Sequence, residues 1–380
     1  MNIGIDARLV KRHKSGLVGY IENLVAELAK NPENKLTVFI QKKEQKAFSF
    51  LNNQTNIKFI PVFFNNHFLD ISNFLYEQSF FSSVINKQAL DIFHNPFGFG
   101  IPRGIKTKTL LTVHDIIPLY DYDELNHWQK IVYKFSFELS LKKAAKIITI
   151  SEFTKKELLK AYPQLNIKNI QTIYNGYDHL AKTNYSVSLL KYLPIKKPYI
   201  LYIGSATKRK NLLNLVQAFI TLKKQGNFDY QLVLASKFDR PITQKTKNQI
   251  ILELTKNKLK DSVFFTGYIE NEEKAVLLAN AEIFVYPSLY EGFGLPILEA
   301  MDFDLPVACS DIPVFREIYK DGVAYFDPLD VQSIAKIIKV LLIDIDLRKQ
   351  IISKERLIRN QFSWKKMANQ YQIIYQQLLK

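Results

Sequence analysis

The sequence predicts two doubly wound α/β domains joined by a short connector, and three observations carry that expectation. Short runs of β-branched and aromatic residues alternate with amphipathic stretches. The alternation stops between about Asp178 and Pro198 and then restarts. A chain of 380 residues, 47% of them hydrophobic, also exceeds what one domain ordinarily uses.

In the first half, Ile3 to Ile5, Leu36 to Ile40, Ile57 to Val62, Asp91 to His94, Thr109 to Val113, Lys146 to Ile150 and Ile170 to Ile173 read as strands. Helical patterns fill the gaps, the clearest from Trp128 to Ala145, where aromatic and aliphatic residues recur at helical spacing. Strands alternating with helices imply a parallel sheet covered on both faces. The segment 179–198 contains Pro194 and Pro198 and no clear period, so it reads as a linker between domains 1–178 and 199–360. The second domain opens on Tyr199 to Ile203 and continues with strands near Gln231 to Leu234, Val263 to Thr266, Ile283 to Tyr286, Val307 to Cys309 and Ala324 to Phe326. After Asp330 the chain reads as helix to the end, with a break near Asn360 to Ser363 that sets off a terminal helix in 361–380. In open α/β sheets ligands bind beyond the carboxyl ends of the strands, so chemistry is sought there.

Composition narrows the class. Met1 to Asp6 already reads as a buried strand, so no secretory leader is expected, and no run of about 18 apolar residues suggests a membrane span. The single Cys309 cannot form an internal disulfide, which fits a reducing compartment, and in a strand it reads as a small core filler. A net charge of +16 calls for an anionic partner: nucleic acid, an acidic membrane surface or phosphorylated ligands. No nucleic-acid module pattern accompanies the charge, so no nucleic-acid partner is expected.

The richest segment runs from Tyr286 to Met301. A strand ends, a glycine loop follows, and Pro296 suits the first helical position. Backbone N–H groups from Gly292 to Leu295 beside a helix start make an anion site. Glu299, expected in the first turn, and Glu291, in the loop, offer carboxylates to sugar hydroxyls; otherwise they are a dipole partner and a surface residue. Upstream, Tyr202 to Leu212 repeats the design, with Gly204 and then Arg209 and Lys210 placed to neutralise a diphosphate. In the first half, His114 and Asp115 stand where a strand meets a Pro-ended loop, and Gly16 with Gly19 opens a helix after the first strand. The carboxylate pairs Asp121/Asp123, Asp302/Asp304 and Asp344/Asp346 read as chance spacings, and no His/Cys cluster argues for a metal.

Together these segments resemble glycosyltransferase family 4, the retaining GT-B family, over essentially the whole chain. Glu291 and Glu299, separated by seven residues, resemble its paired-glutamate motif. The resemblance implies two Rossmann-like domains facing across a cleft, with a nucleotide-sugar donor on the second domain. It assigns the ribose to Glu299, the donor sugar to Glu291 and His114, and the diphosphate to Arg209 and Lys210. Phe293, Gly294 and Leu295 would offer backbone amides, Gly267 and Tyr268 would hold the base, and Gly16 would be the N-terminal loop glycine. Ser151 to Thr154 and Asn175-Gly176 resemble segments lining the interdomain face, and Phe362-Ser363-Trp364 the start of a helix crossing back to the first domain.

His114 to Pro118 with Ser151 to Thr154 resembles a subgroup rich in mannosyltransferases of bacterial surface polysaccharides. GDP-mannose is therefore the first expected donor, with UDP-linked glucose, galactose or N-acetylglucosamine as alternatives, and the acceptor a glycan or lipid-linked saccharide. A phosphorylase or epimerase of the same fold, or a non-catalytic basic binding protein, are the rival readings. No cofactor and no metal are expected, and Lys210→Ala and Glu299→Ala are expected to lose donor binding as exposed site residues. A cytoplasmic protein is implied, peripheral on an anionic membrane through basic groups and the aromatics Phe97 and Phe99 near Arg103.

Overall fold

A computed structural model of the chain describes residues 1–10, 16–63, 71–120, 125–177, 195 and 198–380. Of the predicted linker 179–198 only 195 and 198 are described, and Asp121-Tyr122-Asp123 lies outside the described residues. These residues form two compact units, Met1–Gly176 with Phe362–Lys380, and Tyr177–Gln361.

The first unit is built on β1 (Asn2–Asp6), β2 (Lys35–Ile40), β3 (Ile57–Pro61), β4 (Ile92–Asn95), β5 (Lys108–Val113), β6 (Lys146–Thr149) and β7 (Ile170–Thr172). All neighbours pair parallel, in the order β3-β2-β1-β4-β5-β6-β7. The order reverses between β1 and β4, the place where a doubly wound sheet opens a crevice. Helices α1 (Gly16–Ala29), α2 (Ile71–Tyr76), α3 (Ser82–Asn86), α4 (His127–Lys143) and α5 (Glu152–Ala161) connect these strands.

A charged cluster lies inside this unit. At the end of β1, Arg8 is fully buried between Asp6 (2.8 Å) and Glu77 (3.1 Å), with its guanidinium 3.9 Å from the Phe81 ring centroid. Burial pushes the Glu77 carboxyl up to about 7 against the pull of Arg8.

Helix α4 shows how the chain's aromatics divide. Tyr133, Ser136, Phe137, Ser140 and Leu141 recur at helical spacing on its buried face. Trp128, Ile131 and Phe135 occupy the outer face and are exposed. Phe74 of α2 packs on Phe135 at 5.6 Å, which joins this face to the exposed Ile71 and Leu75 of α2. The expected membrane-facing aromatics Phe97 and Phe99 are instead 7% and 6% exposed. They follow β4 and turn into the core, Phe99 against Tyr133, because the sheet end there is covered by α4.

The second unit carries β8 (Tyr199–Ile203), β9 (Gln231–Ala235), β10 (Val263–Phe265), β11 (Ile283–Tyr286), β12 (Val307–Ser310) and β13 (Ala324–Phe326). They also pair parallel, in the order β10-β9-β8-β11-β12-β13. Its helices are α6 (Leu212–Lys224), α7 (Pro241–Lys256), α8 (Asn271–Asn280), α9 (Leu295–Met301), α10 (Pro313–Tyr319), α11 (Val331–Ile343) and α12 (Ile345–Arg359). The predicted continuous helix after Asp330 breaks at Asp344, whose carboxylate caps α12 by accepting the Leu347 N–H at 2.8 Å. Cys309 is buried in β12. Among the described residues no helix is long and apolar enough to cross a membrane.

The last helix, α13 (Trp364–Leu379), packs in the first unit through Trp364, Met367, Tyr371, Ile374 and Tyr375. A chain of buried hydrogen bonds holds it: Tyr20 Oη donates to Tyr371 Oη at 2.5 Å, Tyr371 and Thr112 hydroxyls meet at 2.9 Å, and His94 bridges Thr112 (2.8 Å) and Tyr375 (2.7 Å). Burial holds the His94 pKa down to about 3, so the ring is neutral and can serve both partners.

At the end of the first unit's body, a Cβ on Gly176 would fall on the backbone of Ser363 and Trp364, where nothing can rotate away. Gly176→Ala should therefore destabilise the protein by about 1–3 kcal/mol, the usual cost of overpacking. Gly19→Ala in α1, where a Cβ meets nothing within 4 Å, should be neutral or stabilise by up to about 1 kcal/mol. Urea denaturation of both variants beside wild type checks the contrast; equal stabilities would contradict the Gly176 contact.

Candidate functional site

In the second unit the sheet order reverses between β8 and β11, so the loops leaving these two neighbours meet at their carboxyl ends. After β8 come Gly204 and a tight 3₁₀ turn, Lys208–Lys210, before α6. After β11 comes the loop from Pro287 to Gly294 and the short helix α9. Leu289 N–H donates to Arg209 O at 2.8 Å, which ties the two loops together through the backbone.

Their side chains form one ion cluster. Glu291 pairs with Arg209 at 3.0 Å and, through the same oxygen, with Lys210. Lys210 Nζ also donates to Tyr286 Oη at 2.5 Å, and Arg209 Nη1 donates to Tyr290 O at 3.1 Å. Burial alone would raise the Glu291 carboxyl, but the two cations outweigh it and hold its pKa down to about 2. One carboxylate against two cations leaves a net charge of +1, suited to an incoming anion.

The entry to α9 is braced from below. Gly294 has φ +98°, and a Cβ there would come 2.7 Å from Phe315 Cε1 and 3.1 Å from Tyr319 Oη, so both backbone and space demand glycine. Tyr319 Oη donates toward Gly294 O (2.8 Å) and Phe293 O (3.1 Å). The carbonyls of Phe293 and Gly294, which follow Glu291 in the chain, are thus held by Tyr319 at the entry to α9. Pro296 is the second helical residue of α9, and Glu299 the fifth, each one residue deeper than the sequence suggests. Glu299 pairs with Lys274 of α8 at 2.7 Å. Gly267 and Tyr268 lie between β10 and α8.

In the first unit, His114 follows β5. Its Nε2 lies 2.8 Å from Pro96 O; a carbonyl only accepts, so Nε2 carries the proton and Nδ1 presents a lone pair. Burial holds the His114 pKa down to about 4 despite that bond, and Tyr20 packs edge-on at 4.6 Å. Gly16 is the first residue of α1 and is exposed. Asp115 accepts the Ile117 N–H at 3.0 Å, and Ser151 caps α5, whose Thr154 donates to His114 O at 3.3 Å.

Residues 14–179 match the model of Glycosyltransferase Family 4, and residues 191–357 that of Glycosyl transferases group 1. The chain is 30% identical over 285 residues to the O-antigen chain mannosyltransferase B of Escherichia coli, covering 73% of this chain and 72% of that protein. This chain belongs to glycosyltransferase family 4. It is also 33% identical over 232 residues to the O-antigen chain mannosyltransferase RfbU of Salmonella typhimurium, covering 60% of this chain and 59% of the relative. Among solved structures, Alr3699/HepE of Anabaena in complex with UDP and glucose has the same fold, with a TM-score of 0.75, 18% identity and coverage of 99% of this chain and all of that one (100%). The two parallel-sheet units are the Rossmann-like domains of a GT-B enzyme.

In this family 4 glycosyltransferase, the structure revises how the site residues stand. Lys210 and Glu299 are expected as exposed groups, yet Lys210 is only 6% exposed and the Glu299 side chain 17%; Glu291, against Lys210, is 7% exposed. The reason is topological: neighbouring strands bring opposite charges into contact, and they neutralise each other out of water. Arg209, with 21% of its side chain exposed, is the cation of the pair that solvent reaches. Lys274 was missed altogether, although a lysine in the first turn of a helix, beside Glu272 and Glu273, is electrostatically out of place there.

Glu291→Gln leaves the buried Lys210 and the half-buried Arg209 without their carboxylate and should cost about 3–5 kcal/mol. Because the folded pKa of Glu291 lies near 2, below the usual value of 4.5, its contribution is full above about pH 4.5 and lost as pH falls through about 2. The stability gap between wild type and Glu291→Gln, measured by urea unfolding from pH 7 to 2, should shrink over that window. A gap that stays constant to pH 2 would contradict the ionised cluster.

Proposed function

We propose that this glycosyltransferase moves mannose from GDP-mannose to a glycan or lipid-linked saccharide acceptor in bacterial surface polysaccharide synthesis, with retention of configuration. Its likeness to two O-antigen mannosyltransferases supports the sugar. The single observation that carries the chemistry is the Arg209, Lys210 and Glu291 cluster at the β8/β11 switch.

A nucleoside diphosphate departing from this site meets Arg209 first and Lys210 behind it, and their charge stabilises the leaving group as its negative charge grows. The turn from Gly292 to Leu295 serves the phosphate and sugar at the start of α9. Glu291, clamped by two cations, is a weak nucleophile, which supports a reaction without a covalent enzyme intermediate. The departing phosphate oxygen then takes the proton of the acceptor hydroxyl arriving on the same face. Neutral His114, with its Nδ1 lone pair, suits acceptance of a hydrogen bond from the donor sugar. No metal and no cofactor enter this scheme.

The enzyme is proposed to work at the cytoplasmic face of an anionic membrane. Trp128, Ile131 and Phe135 of α4, with Ile71 and Leu75 of α2, present apolar side chains to solvent, and Trp128 is 73% exposed. Lys134 lies on the same outer face, and the Arg103 guanidinium stands 5.6 Å from the Phe135 ring. Apolar anchors ringed by cations fit a leaflet rich in anionic lipid.

Two measurements test these readings. In a thermal-shift panel GDP-mannose should raise Tm, by the equivalent of about 2.7 kcal/mol at a hundredfold excess over Kd, and Arg209→Ala should lose the shift while still folding. A shift with UDP-sugars alone would replace the mannose reading by the UDP-sugar one, and an inverted anomeric product, or activity abolished by EDTA, would contradict the mechanism. In vesicle sedimentation, binding should require anionic lipid, weaken with salt and fall in the double variant Trp128→Ser, Phe135→Ser; equal binding to neutral vesicles would refute the docking face.

A further inference from the structure

Lys274 is the fourth residue of α8, in a turn that also holds Glu272 and Glu273. A cation at that end opposes the helix dipole, so α8 itself gives no reason for a lysine. The reason lies on another helix: Nζ donates to Glu299 Oε1 at 2.7 Å, with the two side chains 16% and 17% exposed. A pair this sheltered holds its geometry better than an exposed one, which averages over many rotamers.

The pair leaves hydrogen-bonding capacity unused. Among the described residues, Glu299 Oε2 and the other ammonium hydrogens of Lys274 have no hydrogen-bond partner. An acceptor and a donor therefore stand side by side between the start of α8 and α9. A vicinal diol matches this arrangement, since one hydroxyl donates to the carboxylate while its neighbour accepts from the ammonium. On an ordinary nucleotide that diol is the 2′,3′-diol of ribose.

We propose that Lys274 is a nucleotide-binding residue that orients Glu299 and reads the ribose diol together with it. The proposal rests on the donor reading above and adds a residue to it. Lys274→Met keeps the aliphatic stem and removes the charge, so the fold is preserved while the diol loses its donor.

Calorimetric titration with GDP and UDP, each beside its 2′,3′-dideoxy counterpart, tests the pair. Wild type should prefer the ribonucleotide by about tenfold or more, the range expected for hydrogen bonds to charged groups. Lys274→Met should lose most of that preference with the dideoxy affinity unchanged, and Lys274→Arg should recover part of it. In turnover, KM for the nucleotide-sugar should rise in Lys274→Met with little change in kcat. An unchanged ribo-to-dideoxy ratio in Lys274→Met, or equal loss for both forms, overturns the proposal while leaving the donor reading intact. A wild-type protein that binds neither nucleotide overturns both.

Discussion

Glu291 cannot be ionised out of water unless cations stand beside it, and Arg209 and Lys210 meet that condition from a different loop. Much of the second domain's architecture serves this one constraint. Strands β8 and β11 must be neighbours for the 3₁₀ turn and the glycine loop to meet, although many residues separate them in sequence. The backbone bond from Leu289 to Arg209 fixes the separation of the loops, and Tyr286, at the end of β11, receives the second hydrogen bond of Lys210. Behind the loop, Phe315 and Tyr319 of α10 hold the Gly294 turn in its left-handed conformation. The result is a cluster of net positive charge held in place by the protein itself, the kind of preorganised charge that electrostatic catalysis uses.

The first domain solves a related problem with neutral groups. His94 and His114 are both kept uncharged by burial, and each then works as a hydrogen-bonding ring of fixed tautomer or fixed partners. The chain from Tyr20 through Tyr371 and Thr112 to His94 and Tyr375 joins the last helix of the sequence to β4, β5 and α1. The same Tyr20 ring packs against His114. The terminal helix is therefore linked, through buried hydrogen bonds and then one edge-on ring contact, to His114. An apolar packing of α13 alone would not fix its register so tightly, because buried polar groups tolerate few alternative pairings.

Much of this was legible along the chain. Parallel strands buried on both faces write themselves as continuous apolar runs, so every observed strand falls on a predicted run, with bounds that differ by a residue or so at some ends. The glycine loop, the basic turn and the glutamate pair are local patterns; the two loops follow the carboxyl ends of strands, and Glu299 lies in the helix that comes after one of them. What failed was the prediction of which side chains face water. Phe97 and Phe99 follow a strand and were read as exposed, yet α4 covers them; the exposed aromatics Trp128 and Phe135 sit on that same helix, where periodicity alone reports two apolar faces and not which one is inward. Asp344 looked like part of a chance carboxylate pair and is a helix cap, a role visible only once the backbone turns there.

The sequence by itself determined the two parallel-sheet domains, the positions of the glycine and basic loops and the family, because strand periodicity, glycine placement and charge are properties of neighbouring residues. Tertiary structure alone decided the state of the site: that Lys210 and Glu291 are buried and paired, that His114 is neutral, and that Lys274 stands against Glu299. Each of these depends on partners brought together by strand order or by helix packing across the sheet. Burial and pairing are set by what the fold places within a few ångströms, and no local pattern encodes that distance.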